Sequence, residues 1–327
     1  MGQPPTWRDK GCIASTRPVV SFNRLVKPGF LRTAAIFVAF LFGTFIPQAQ
    51  AGAWLIRWLI MGMLFIVFLQ TKLSRETLRP AHGILLAANL AMGFAGWGLG
   101  WWIGGRDVAL AGFFCGITPT ATAAPVITGF LRGRVDFVVA SFLLTNVVIA
   151  ALLPALMPLV LGRETPTAFT AVLGSVGLVV FGPMALAWLV RTLHPAATAW
   201  PKRLSNVSFG AWVATLFLIT ARVSAFLRSH ADLPHALLFQ IAGLSLALCV
   251  ANFVLGRIIG GSQFAREGSQ SLGQKNTTFT IYLALTYANP LIALGPTCYV
   301  LWHNLWNSWQ LHQQARAEAA AQSPGSA

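Results

Sequence analysis

Residues 270–289 read QSLGQKNTTFTIYLALTYAN, and the fold turns on this stretch. It lies between two long apolar runs, yet Gln274, Lys275, Asn276, Thr277 and Thr278 follow one another directly behind Gly273. A helix facing lipid does not hold a charge, two amides and two hydroxyls in a row. Each polar group left unpaired in hydrocarbon costs on the order of several kcal/mol. The segment must therefore face protein or water.

Outward from this stretch the chain is overwhelmingly apolar. Hydrophobic residues make up 56% of it and charged residues 9%, more apolar material than one soluble core of this length needs. Ten runs approach the roughly 20 residues that cross a bilayer: 30–46, 53–69, 84–103, 108–130, 137–161, 167–190, 207–226, 235–259, 270–288 and 291–311. An all-α polytopic membrane protein is the class that fits. The net charge of +15 does not point to nucleic acid, because Lys and Arg concentrate in alternate connections between runs. The N-terminal segment, Lys72 to Arg79, Arg132 with Arg134, Arg191 to Arg203, and Arg257 with Arg266 fall on one side of a ten-span protein. The opposite connections balance Arg106 with Asp107, Arg163 with Glu164, and Arg228 with Asp232. That asymmetry orients both termini to the cytoplasm, with a bacterial inner membrane as the expected location. Residues 1–29 are long, basic and Pro-containing, which suits a cytoplasmic tail better than a signal peptide. Residues 312–327 are expected to be a short polar, disordered tail. Cys12, Cys115, Cys249 and Cys298 are far apart in sequence and form no CxxC pair, so they are expected to pack rather than to bind metal or form disulfides.

Ten spans divide into residues 30–161 and 167–311, two sets of five, and an odd number inverts the second set relative to the first. Inverted repeats with interrupted helices at corresponding positions mark secondary transporters. The fourth and ninth spans qualify. The fourth contains GITPTATAAPVITG, with Pro119, Pro125 and the hydroxyls of Thr118, Thr120 and Thr122 in mid-span. Pro125 removes a backbone donor and disfavours helical geometry in the residue before it, which predicts a break near Ala124. The N–H groups opening the second half would then form an anion site; a simple proline kink is the competing reading.

At Cys115 to Ser141, at Gly273 to Asn276, and in VLWHNLWNS from Val300 to Ser308, the sequence resembles the bile acid:sodium symporter family. The resemblance implies a panel of spans one, two, six and seven, a core of the other six, a crossing of spans four and nine at their breaks, and sodium-coupled transport of organic anions. The sodium ligands do not carry over. Where the family has a Ser-Asn pair this chain has Ala124 and Pro125, and its fifth-span Ser and Thr ligands align with Val138 and Phe142. The family's Glu-x-Gly-x-Gln-Asn becomes Ser271, Leu272, Gly273, Gln274, Lys275, Asn276. An ammonium in an oxygen cage repels a cation by roughly 4 kcal/mol at about 4 Å and an effective dielectric near 20. With all eight acidic residues assigned to tails or loops, the expectation is a sodium-independent member.

An ionisable residue inside a membrane is a functional candidate by default. Lys275 could be a fixed charge bonding the carbonyls of the broken fourth span, a titrating amine that couples transport to protons, or a direct contact for the substrate anion; it could also snorkel to the surface. The expected substrate site comprises Thr118, Thr120, Thr122, Pro125, Gln274, Asn276, Thr277, Thr278 and His303, with Asn89, Asn146 and Thr128 nearby and Arg222 snorkelling. His303 is a candidate proton carrier, although a hydrogen-bonded packing role also fits. No cofactor is expected, and no Asp pair or His cluster points to an enzyme. The alternatives are a sodium-coupled bile-acid-type symporter, a non-transporting membrane sensor or scaffold of the same fold, and an arsenite-type exporter suggested by Cys115, whose family relies on a ninth-span acid that is missing here.

Overall fold

In a computed structural model of the chain, residues 28–70, 77–162 and 165–322 are described. The N-terminal tail up to residue 27, with Cys12, and the charged connections holding Lys72, Arg75, Arg163 and Glu164 lie outside them. The described residues are predominantly helical, and their β geometry is limited to one isolated bridge.

The helices follow the apolar runs: α1 Pro28–Phe45, α2 Leu55–Gln70, α3 Pro80–Gly104, α4 Arg106–Ile117, α5 Ala124–Phe130 and α6 Val135–Leu161. Then come α7 Pro166–Val176 and α8 Gly182–Leu193, joined by a π-helical turn, a short α9 Trp200–Arg203, α10 Ser205–Ser229, α11 His235–Gly260, α12 Ala265–Gly273, α13 Thr277–Tyr287 and α14 Pro290–Gln322. Five helical stretches are long and apolar enough to cross a membrane: α3, α6, the α7–α8 rod, α10 and α11. Large apolar side chains such as Trp102, Phe239 and Leu193 stand exposed. This architecture is compatible with a helical membrane protein, whose outer surface can be apolar because its solvent is lipid.

One apolar core runs through α1, α2, α4, α6, α8, α10, α13 and α14. α1 lies on α10, and α2 on α8 and α10, while α3 packs on α4, α11 on α12, and α14 on both α4 and α13. The α3–α4 and α11–α12 hairpins are built alike. Each turns at a glycine in a conformation that other residues essentially never adopt, Gly105 (φ 75, ψ −154) and Gly261 (φ 60, ψ −159). Each then brings backbone against backbone, Gly96 against Gly112 and Gly256 against Gly268, where a Cβ on any of the four would collide with the facing carbonyl. Small residues at such crossings let helices approach without a hydrophobic driving force.

Three expectations change. The ninth apolar segment begins at Ala265 rather than at residue 270, because Gly268 seats α12 on α11 despite its polar opening. Glu267 is consequently not a loop residue: it is buried in the first turn of α12, where Oε1 accepts the Arg134 N–H at 2.6 Å. And α14 runs on to Gln322, through residues assigned to a disordered tail, where ARAEAAAQ is a run of strong helix formers.

Candidate functional site

The site is built where two helices stop short. α4 ends at Ile117 and α5 begins at Ala124; α12 ends at Gly273 and α13 begins at Thr277. In each pair the first helix ends five residues beyond its crossing glycine, Ile117 after Gly112 and Gly273 after Gly268. The extended residues between the halves pair antiparallel, with Thr120 opposite Lys275. Two backbone hydrogen bonds hold them, Ala121 N–H to Gln274 O and Asn276 N–H to Pro119 O, both 2.8 Å. Pro125 does not open the gap; it sits in the first turn of α5, where its missing N–H costs nothing.

A helix that ends inside a protein leaves its last four carbonyls without intrahelical donors. At α4, the Thr118 hydroxyl donates to Phe114 O at 2.5 Å, the Lys275 ammonium to Gly116 O at 3.1 Å, and the Asn89 amide to Ile117 O at 3.0 Å. The Asn89 side-chain oxygen accepts a second, short bond from the ammonium. Lys275 is 1% exposed. Burying an unpaired ammonium costs several kcal/mol; here two oxygens and the negative end of the α4 dipole offset it. At α12 the donors are neutral: Thr120 Oγ1 to Ser271 O at 2.6 Å, the Tyr299 hydroxyl to Gly273 O at 2.9 Å, and Ala121 N–H to Gln274 O. The two bridge partners therefore each send a side chain into the carbonyl end of the other's helix.

This geometry removes one of the readings of Lys275. Its head does not snorkel; it is buried on the carbonyl end of the broken fourth segment. Arg222, expected to snorkel, is half-buried, and its guanidinium reaches Leu285 O on α13 at 3.3 Å.

The other sequence candidates divide. Thr118, Thr120, Gln274, Lys275, Thr277 and Thr278 are all buried at the crossing, whereas Thr122, Pro125 and Asn276 are half-buried there. Thr118 Oγ1 lies 2.8 Å from Thr280 Oγ1, and Asn276 Nδ2 reaches Asn146 Oδ1 at 3.4 Å. Asn146 in turn donates to Thr120 O at 2.9 Å, while Thr128 binds Ala124 O one turn back within α5. His303 is not brought into the crossing. It is buried on α14, edge-on to Tyr299 with ring centroids 5.7 Å apart, and its Nδ1 has no hydrogen-bond partner among the described residues. Ala124 and Val138 lie with Leu272 in one apolar cluster, Phe142 packs by Phe68, and the Ser271 hydroxyl is unpaired. A hard cation needs several oxygens around it, and these residues with an ammonium among them do not fit one.

Sequence reasoning missed Arg57, inside the second apolar run, and Tyr299, whose hydroxyl closes α12. The signal for Arg57 was a guanidinium in the first turn of an otherwise apolar helix. Compared with known proteins, the chain matches no family model and no curated protein.

Proposed function

We propose that this chain is a secondary transporter of a small organic anion that works without sodium, with the Lys275 ammonium standing where a coupling cation would sit. In this reading the chain has ten spans in two inverted five-helix repeats, like the bile acid:sodium symporters it resembles, with both termini cytoplasmic in a bacterial inner membrane. The likeness of the α3–α4 and α11–α12 hairpins supports the repeat. Both carry an Asn-x3-Gly step (Asn89 and Gly93, Asn252 and Gly256), a glycine turn, and an Arg-acid pair at the next helix start, Arg106-Asp107 and Arg266-Glu267. The observation that carries the functional reading is the buried ammonium on Gly116 O and Asn89 at the meeting of two interrupted helices. An internal ammonium caps the carbonyl end of α4 without an ion, and the panel of α1, α2, α7–α8 and α10 moves against the crossing to expose the half-buried Thr122 and Asn276 to each side in turn.

Uptake into liposomes reconstituted with the purified protein tests this. Radiolabelled carboxylates are expected to enter equally well with sodium or choline outside, and the Lys275→Gln, Ser271→Glu double variant is expected to become sodium-dependent. A parent protein that needs sodium overturns the reading. A membrane sensor or scaffold is the second reading, favoured by the degree to which the crossing's polar groups satisfy one another; ligand binding without any uptake would establish it.

A further inference from the structure

The crossing is closed by its own side chains, but a second polar feature is open. Between α2, α10 and α13 lies a cavity of about 430 Å³, within the range of small-molecule sites. Two guanidinium groups line it, Arg57 from α2 and Arg222 from α10, together with Trp54, Trp58 and Tyr282. Among the described residues the buried Arg57 Nε–H has no hydrogen-bond partner, and Arg222 makes one long bond, to Leu285 O at 3.3 Å. Neither guanidinium meets a carboxylate among the described residues. Two like charges beside one cavity repel each other, and among the described residues only the carbonyl end of α13, through Leu285 O, offsets them. Guanidinium forks match planar oxyanions, and aromatic walls suit an apolar body.

We infer that this cavity is a binding site for an oxyanion carried on an apolar or aromatic body, gripped between Arg57 and Arg222. It sits where α2 begins and where α10 and α13 end, at the end of these helices away from the basic connections. As a site it stands alone; its role as the station where a substrate anion first binds rests on the transport reading. The anionic group belongs either to a soluble aromatic carboxylate or to a lipid headgroup, and the two sources are separable.

The test uses the full-length protein in phosphatidylcholine nanodiscs with radiolabelled benzoate, and in parallel native mass spectrometry of phosphatidylglycerol retention. Saturable benzoate binding that benzyl alcohol does not displace identifies a carboxylate, and selective phosphatidylglycerol retention identifies a headgroup. Either supports the site if Arg57→Gln and Arg222→Gln each weaken it at least tenfold. A measurement on the unmutated protein guards against variants that fold poorly: phenylglyoxal modification of Arg57 and Arg222, read by peptide mass spectrometry, should slow at least fivefold when the ligand is bound. The inference is overturned if neither ligand binds, if both variants bind as the parent does, or if bound ligand leaves both arginines equally reactive. Binding with no uptake would remove the transport reading and leave the site standing. Uptake in the parent together with unchanged benzoate and phosphatidylglycerol binding in Arg57→Gln and Arg222→Gln would do the reverse.

Discussion

The two breaks solve one problem with different chemistry. Both α4 and α12 end inside the protein with carbonyls exposed to their own dipole field, and both are closed by a side chain from the opposite break. For α12 that side chain is the Thr120 hydroxyl, assisted by Tyr299; for α4 it is the Lys275 ammonium, assisted by Asn89. A hydroxyl satisfies an acceptor and leaves the local field nearly unchanged. An ammonium also cancels the partial negative charge of a helix end. The difference shows that the crossing does not need a charge to be held together, since one half manages with neutral donors. The positive group at the other half is thus a candidate for function rather than for architecture alone.

Asn89 and Asn252, at matching places in the two hairpins, carry the largest difference between the breaks. Asn89→Ala removes one of the two oxygens on the Lys275 ammonium and leaves Ile117 O unpaired, which should cost about 3–5 kcal/mol, the range for removing one partner of a buried charge. Asn252→Ala loses only a 3.2 Å bond to the Tyr299 hydroxyl and should cost about 1 kcal/mol. Equilibrium unfolding in mixed micelles reads both. Adding Lys275→Met to Asn89→Ala should recover part of the loss, because the uncompensated charge goes with it. Equal costs at the two asparagines would mean that the amine is held neutral and that the two breaks do not differ in charge.

A smaller effect tests whether the frames around the breaks are as alike as their turns. Gly112→Val and Gly268→Val each place carbon on a facing carbonyl, and overpacking of this kind costs about 1–3 kcal/mol. The two should agree within about 1 kcal/mol in the same unfolding assay. A variant tolerated at only one crossing would show that the hairpins are similar in outline but not in packing.

What the sequence disclosed and what it hid follow from the same physics. An interruption of the fourth run and the polar run at Gln274 to Thr278 were legible because unpaired polar groups and prolines in an apolar run admit few explanations, but the position was not: α4 stops at Ile117, and Ala124, the expected break point, opens α5 instead. The start of α12 was not, because Ala265, Arg266, Glu267 and Gly268 have the composition of a loop; they are helical because Gly268 fits against Gly256 and because Glu267 accepts the Arg134 N–H, contacts far apart in sequence. Composition alone also placed Glu267 with the loop residues, although it is buried. The pairing of Arg57 with Arg222 was hidden for the opposite reason: Arg57 is a lone charge in an apolar helix, Arg222 was read only as snorkelling, and only the packing of α2, α10 and α13 shows that they share a cavity. The Lys275 partners Asn89 and Gly116 come from helices that no local pattern joins to residue 275.

The smallest expected effect isolates the neutral break. Tyr299→Phe deletes the hydroxyl that donates to Gly273 O and accepts from Asn252, and it leaves the ring in place. One net hydrogen bond is worth about 0.5–1.5 kcal/mol, and a carbonyl left unpaired in a buried site adds to that, so the loss should fall near 1–2 kcal/mol. If closing α12 is architectural, the variant will unfold at lower denaturant yet keep its ion dependence and substrate affinity once folded. Should Tyr299→Phe instead alter transport while leaving stability untouched, the hydroxyl at α12 would share the functional role assigned to the ammonium at α4. The contrast between the two breaks would then reduce to a difference in charge without a difference in purpose.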